Sequence, residues 1–175
     1  MSDLTRRQTL AIGAAGAAMA TGPARASARP VLVIFDGRYS DARRFAHRAT
    51  LAGAERFDTG RDLARLWRNL DARPWRVVAL TTPADFGLGV AAGRERRLVL
   101  QGSGMHDGRA GDGLDHRLKG FTEAALRPRL EAGLDWPEAL AELMLVAPTS
   151  MGRGARFQTA RAADHPGTLT SWRMA

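Results

Sequence analysis

The stretch VLVIF, residues 31–35, is a continuous apolar run in which three of the five residues are β-branched. Runs of this kind suit strands that are buried on both faces, as in parallel sheets. The stretches RVVALT (76–81) and RLVLQ (97–101) have the same character. Together they predict a sheet of buried strands that is built from the first half of the chain.

Helical patterns lie between these runs. Two sets of apolar residues recur at i, i+3, i+4 and i+7, which gives each helix one apolar stripe to lay on the sheet. The first set is Ala42, Phe45, Ala46 and Ala49, and the second is Leu63, Leu66, Trp67 and Leu70. This alternation predicts an α/β fold with a small, open, mostly parallel sheet and flanking helices in Rossmann-like layers.

The second half of the chain has a different pattern. Residues 102–113, GSGMHDGRAGDG, contain five glycines and predict a loop. LDHRLKGF (114–121) then predicts a strand beside the one before that loop. ARFQTARA (155–162) and TLTSWRM (168–174) flank a Pro-Gly turn, which predicts a C-terminal antiparallel hairpin at the sheet edge.

The N-terminal segment TRRQTLAIGAAGAAMA, residues 5–20, places two arginines before an uncharged apolar run. The run is too short to span a bilayer, which needs about 20 residues. Pro23 then precedes Ala24-Arg25-Ala26, a small-x-small cleavage site. The arrangement resembles a twin-arginine export signal, on the basis of Thr5, Arg6, Arg7 and Leu10.

That resemblance has consequences for domain organisation and partners. It implies a signal peptide over residues 1–26, cut after Ala26, and we expect a single α/β domain over residues 27–175. The implied partners are the twin-arginine export machinery and signal peptidase. The implied location is the periplasm or the medium, reached in the folded state, with no stable transmembrane anchor after cleavage.

Charge and composition limit the functional classes. The net charge is +8, but the arginines are scattered among acidic residues and aromatic residues make up only 6% of the chain. These features argue against nucleic-acid binding. The absence of cysteine excludes disulfides, thiolate metal sites and cysteine nucleophiles.

The candidate ligand site is the edge where the carboxyl ends of the parallel strands should meet. The residues expected there are Asp36, Arg38, Tyr39, Ser40, Thr81, Thr82 and His106. Helix N-termini at this edge and the guanidinium of Arg38 favour an anion. The alternative is that these are ordinary capping and turn residues.

A metal site is a second hypothesis for the glycine-rich region. His106, Asp107 and His116 supply imidazole and carboxylate ligands that suit Zn²⁺, Mn²⁺ or Fe²⁺. A hairpin could bring the two histidines together across a ten-residue step, although this is no recognised ligand spacing. The alternative is that they are solvated loop residues.

Two functions are therefore expected from the sequence. The first is an exported protein that binds a small ligand, with an anion favoured, or that serves as an accessory to another exported protein. The second is a periplasmic hydrolase or metal-dependent enzyme that uses the His106, Asp107 and His116 cluster. The sequence names no catalytic residue and no cofactor.

Overall fold

The computed structural model describes residues 29–60, 62–108, 113–147, 154–160 and 165–175. The signal peptide expected over residues 1–26 lies outside these residues and stays a prediction. No helix in the described part of the chain is both long and apolar enough to cross a membrane.

Strands and helices alternate in the first half of the chain, as the apolar runs predicted. In chain order the elements are β1 (Val31–Phe35), α1 (Ser40–Leu51), β2 (Glu55–Asp58), α2 (Leu63–Asn69), β3 (Arg76–Thr81), α3 (Pro83–Glu95), β4 (Leu100–Asp107), β5 (Gly113–Lys119), α4 (Glu123–Glu131), α5 (Trp136–Val146), β6 (Gly154–Ala160) and β7 (Thr168–Met174).

The strands form one seven-stranded mixed sheet in the order β2-β1-β3-β7-β4-β5-β6. Only the pairs of β1 with β2 and β1 with β3 are parallel. The other four pairs are antiparallel. The prediction of a mostly parallel sheet is therefore wrong. Helix α3 does connect β3 to β4, but β7 lies between these two strands and is antiparallel to both, and β5 and β6 add two more antiparallel pairs.

The C-terminal hairpin prediction is also wrong. β7 lies in the middle of the sheet between β3 and β4, whereas β6 forms the far edge beside β5. The physical reason is burial, since Leu169, Trp172 and Met174 of β7 are each fully buried. A strand so apolar is more stable between two neighbours than at an edge.

Residues 102–107 of the glycine-rich stretch likewise form a strand where a loop was expected. β4 continues through Gly102 and Gly104 to Asp107 and pairs with both β5 and β7. A Cβ atom on Gly102 would lie 2.4 Å from the ring of Phe121, so glycine here allows close packing. β5 returns beside β4, as the sequence predicted.

Two apolar cores lie on opposite faces of the sheet. The first includes Phe45 of α1 and Leu140 of α5, and among the strands it involves β1, β3, β7 and β5 and reaches Ala155 of β6. The second includes Trp67 of α2 and Trp172 of β7, and among the strands it involves β1, β2, β3, β7 and the start of β4. Among the described residues, the second face is therefore covered over only part of the sheet.

Candidate functional site

The predicted sheet edge does gather polar groups. β4 runs in the same direction as β3, because both are antiparallel to β7, so β1, β3 and β4 end at one edge. The carboxylate of Asp36 is fully buried there and accepts from Arg38 Nε at 2.9 Å and Nη2 at 2.6 Å. This side-chain hydrogen bonding raises the pKa of Arg38.

The other residues of that predicted site do not converge on a ligand position. Thr81 is buried and its Oγ1 accepts from Trp172 Nε1 at 3.2 Å. Thr82 caps α3 by accepting from the backbone N–H of Asp85, as expected of a capping residue. Tyr39 packs against the first core and is the N-cap position of α1, with Ser40 as its first residue. Arg38 is exposed, whereas His106 is buried.

The two histidines of the predicted cluster do come together. His106 and His116 face each other across the β4–β5 pair, with their Nδ1 atoms 2.7 Å apart. His106 Nε2 lies 2.9 Å from Ser171 Oγ of β7. His116 Nε2 lies 2.8 Å from Thr159 Oγ1 of β6. The result is a hydrogen-bonded chain across four strands.

The contact of Thr159 with the backbone favours one direction of this chain. Its hydroxyl donates to the carbonyl of Ala160 at 3.3 Å, so its oxygen is left to accept from His116 Nε2. In that direction His116 Nδ1 accepts from His106 Nδ1, because a neutral imidazole has one donor and one acceptor. His106 Nε2 accordingly accepts from the Ser171 hydroxyl.

Aromatic side chains enclose the pair. Trp136 of α5 stacks on His106 with ring centroids 4.8 Å apart, and Phe157 stacks on His116 at 4.2 Å. Both histidines are fully buried. Burial lowers the pKa of His106 well below its usual value and that of His116 to about 3, with proximity to His165 acting in the same direction. Both imidazoles are therefore neutral near pH 7.

The structure does not place Asp107, the third predicted metal ligand, beside the two histidines. Asp107 is adjacent to His106 on β4, and successive side chains of a strand point to opposite faces. Within the part of the chain that the structure describes, no three His, Cys, Asp or Glu residues are grouped so as to hold a metal.

A groove that the sequence reasoning missed lies at the other end of the sheet order, between edge strand β2 and helix α2. Its volume is about 620 Å³, within the range of small-molecule sites. Phe57, Leu66, Leu70 and Trp75 give it apolar walls. Leu66 and Leu70 were assigned to the core stripe of α2, but both are only half-buried. The apolar periodicity of α2 does not indicate that β2 is the edge strand, so it could not predict the groove.

Two guanidinium groups line the groove in different states. Arg73 is held by Asp71, with Nε to Oδ2 at 2.6 Å, and its guanidinium lies 4.3 Å from the centre of the Trp75 ring. Arg65 is exposed and lines the groove one helical turn before Asn69. Among the described residues no carboxylate pairs with the Arg65 side chain. The groove therefore combines apolar walls, three carboxylates that are paired with arginines (Glu55, Asp62 and Asp71) and one available cation, Arg65.

Comparison of the chain with protein families, with curated proteins and with solved structures gave no match.

Proposed function

We propose that this protein is exported in the folded state and binds a small amphipathic anion in the groove between β2 and α2. The observation that carries the proposal is the apolar groove with the Arg65 guanidinium at its rim. An apolar body of the ligand contacts Phe57, Leu66 and Leu70. Its carboxylate meets Arg65, and the amide of Asn69 supplies a further donor beside it.

This proposal keeps the ligand class expected from the sequence but moves the site. At the predicted edge the Arg38 guanidinium is already engaged by Asp36, and Asp85 lies close enough to act on its pKa. An anion there competes with carboxylates of the chain itself. In the groove the three lining carboxylates are already paired with Arg68 or Arg73, which leaves Arg65 for the ligand.

The test is calorimetric titration of the protein with 2-naphthoate and with its neutral analogue 2-naphthylmethanol. We expect the carboxylate to bind at least about tenfold more tightly, and Arg65→Gln to remove that preference, since a charge-assisted hydrogen bond is worth about 1.4 kcal/mol or more. Arg94→Gln is the matched control, because Arg94 is exposed on α3 and does not line the groove. Equal affinity for both compounds contradicts the proposal.

The export part of the proposal has its own test. Mass spectrometry of the chain recovered from the periplasm should give a mass that lacks residues 1–26. Replacing Arg6 and Arg7 together by lysine should leave the full-length chain in the cytoplasm. Export of that variant at the wild-type level contradicts the twin-arginine assignment.

A hydrolase is the second candidate, and one observation favours it. Ser171, His106 and His116 stand in the order of nucleophile, base and orienting group, with contacts of 2.9 and 2.7 Å. All three are fully buried, so this function requires α5 to open at Trp136. Phenylmethylsulfonyl fluoride tests it: a mass adduct on Ser171 that is lost in Ser171→Ala supports a hydrolase, and an unlabelled Ser171 contradicts it.

A further inference from the structure

Among the described residues, no helix covers one face of the β4–β5–β6 end of the sheet. α2 and α3 cover this side of the sheet only as far as β7 and the start of β4. Beyond that point the side chains of Met105, Arg117, Lys119, Arg156 and Gln158 are exposed. We call these five residues, together with the less exposed Asp107 and Asp115, the open face.

Two arginines stand directly opposite each other on the open face. Arg117 of β5 pairs in register with Arg156 of β6, and Met105 of β4 completes the row. Like charges at directly opposed positions destabilise a sheet, so the pair needs a compensating group. Asp115 supplies it, accepting from Arg117 Nε at 2.9 Å and from Arg156 Nε at 3.0 Å and Nη2 at 3.1 Å.

This contact orients both guanidiniums without hiding them. The Asp115 side chain is only 9% exposed, while those of Arg117 and Arg156 are 59% and 69% exposed. Each guanidinium has five N–H donors, so donors remain on both after Asp115 is satisfied. The open face thus presents two held cations to its surroundings.

Lys119 extends the cations along the strand direction. It lies on the same face of β5 as Arg117, two residues on, which is a distance of about 6.8 Å in an antiparallel strand. An extended peptide presents every second side chain at the same repeat. Acidic side chains at alternate positions of such a peptide can therefore meet the Arg117–Arg156 pair and Lys119 in succession.

We propose that the open face binds an extended acidic segment of a partner protein, with alternate Asp or Glu carboxylates on Arg117, Arg156 and Lys119. Charge complementarity supports this occupant, and Met105 adds apolar contact for the side-chain stems. A single-stranded nucleic acid fits less well, because binding it relies on aromatic stacking and no described residue of the open face is aromatic. The proposal goes beyond the small-ligand groove and gives the chain an accessory role.

The test is fluorescence anisotropy with the full chain and two labelled peptides of equal composition, (Glu-Thr)₆ and Glu₆Thr₆. We expect the alternating peptide to bind more tightly than the block peptide. The variant Arg117→Gln/Arg156→Gln should weaken binding at least about tenfold. The control Arg94→Gln/Arg127→Gln makes the same charge change on helices α3 and α4 and should have little effect.

The variant Asp115→Asn tests whether peptide binding depends on the orientation of the two arginines or only on the net positive charge. It makes the chain more cationic but releases both guanidiniums, so we expect weaker peptide binding, with circular dichroism confirming that the variant is folded. If it does not fold, the two double variants decide alone. Equal affinity for both peptides, equal loss in both double variants, or tighter binding of oligothymidylate than of (Glu-Thr)₆ overturns the proposal.

Discussion

The two faces of the β4–β5 hairpin differ in charge, although the residues that decide this are neighbours in the sequence. On the buried face His116 pairs with His106, and both are neutral and fully enclosed. On the open face the adjacent Asp115 is charged and holds two exposed arginines. Because side chains alternate along a strand, one step in sequence changes the environment from core to solvent. Burying a neutral, hydrogen-bonded imidazole costs far less free energy than burying an ion.

The largest difference between the faces should appear on truncation of the buried pair. His106→Ala leaves a cavity under Trp136 and removes the partners of Ser171 and His116. We expect a loss of about 3–5 kcal/mol in the free energy of unfolding, measured by urea denaturation at pH 7.5. Arg117→Ala on the open face should change it by no more than about 0.5 kcal/mol. A loss below about 1 kcal/mol for His106→Ala contradicts the enclosed network.

Acid should weaken the buried face before it affects the open one. Burial lowers the folded-state pKa of both histidines, to about 3 for His116, below the unfolded value near 6.5. Their contribution is therefore complete above about pH 6.5 and is lost as the pH falls, by up to about 1.4 kcal/mol per pH unit for each histidine. The pKa of Asp115 is also lowered, mainly by its hydrogen bond to Arg156, but from 3.8, so its contribution is lost only in more acidic solution.

The measurement is urea denaturation at pH 7.5, 6.5, 5.5 and 4.5 for the wild type and for His106→Leu/His116→Leu. Stability of the wild type should fall below pH 6.5, and the double variant should be much less sensitive to pH. His165 lies close enough to act on the pKa of both histidines, so His165→Gln is measured in parallel. His47→Gln on the exposed surface is the control. A wild-type curve that is flat between pH 6.5 and 4.5 contradicts the depressed pKa values.

These comparisons also show why the sequence predicted one half of the sheet and not the other. The parallel half depends on local signals, since VLVIF and RVVALT carry their own strand character and the helices between them carry their own stripes. The position of β7 in the sheet does not depend on local signals, because TLTSWRM pairs with β3 residues about 90 positions earlier in the chain. Its burial follows from that pairing, which no local pattern records.

The candidate sites divide in the same way. The meeting of His106 and His116 was predictable because a short hairpin closes their ten-residue separation. Their partners were not, since Ser171 and Thr159 lie 65 and 43 residues away in the chain. The groove at Arg65 depends on β2 being an edge strand, and strand order is a property of the whole sheet.

Glycine-to-alanine substitutions should have opposite effects on stability at tightly packed and at open positions. A Cβ atom on Gly104 would lie 2.4 Å from Leu118 Cδ2 and 2.6 Å from Ser171 Oγ. Gly104→Ala should therefore cost about 1–3 kcal/mol by overpacking the histidine network. Gly87 in α3 has nothing within 4 Å of the same position, so Gly87→Ala should stabilise the chain by about 0.5–1 kcal/mol. Urea denaturation of both variants measures this, and a neutral Gly104→Ala contradicts the packing.

The smallest effect tests the direction of the hydrogen-bonded chain. Thr159→Val keeps the shape of the side chain but removes the acceptor for His116 Nε2–H, so a buried donor is left unsatisfied. We expect a loss of about 1 kcal/mol at pH 7.5. Gln158→Val, one residue earlier and on the open face, should stay within about 0.5 kcal/mol. Nitrogen-15 chemical shifts of the wild type should show His116 protonated at Nε2 and His106 at Nδ1; the reverse pattern means that the chain of donors runs from Thr159 toward Ser171.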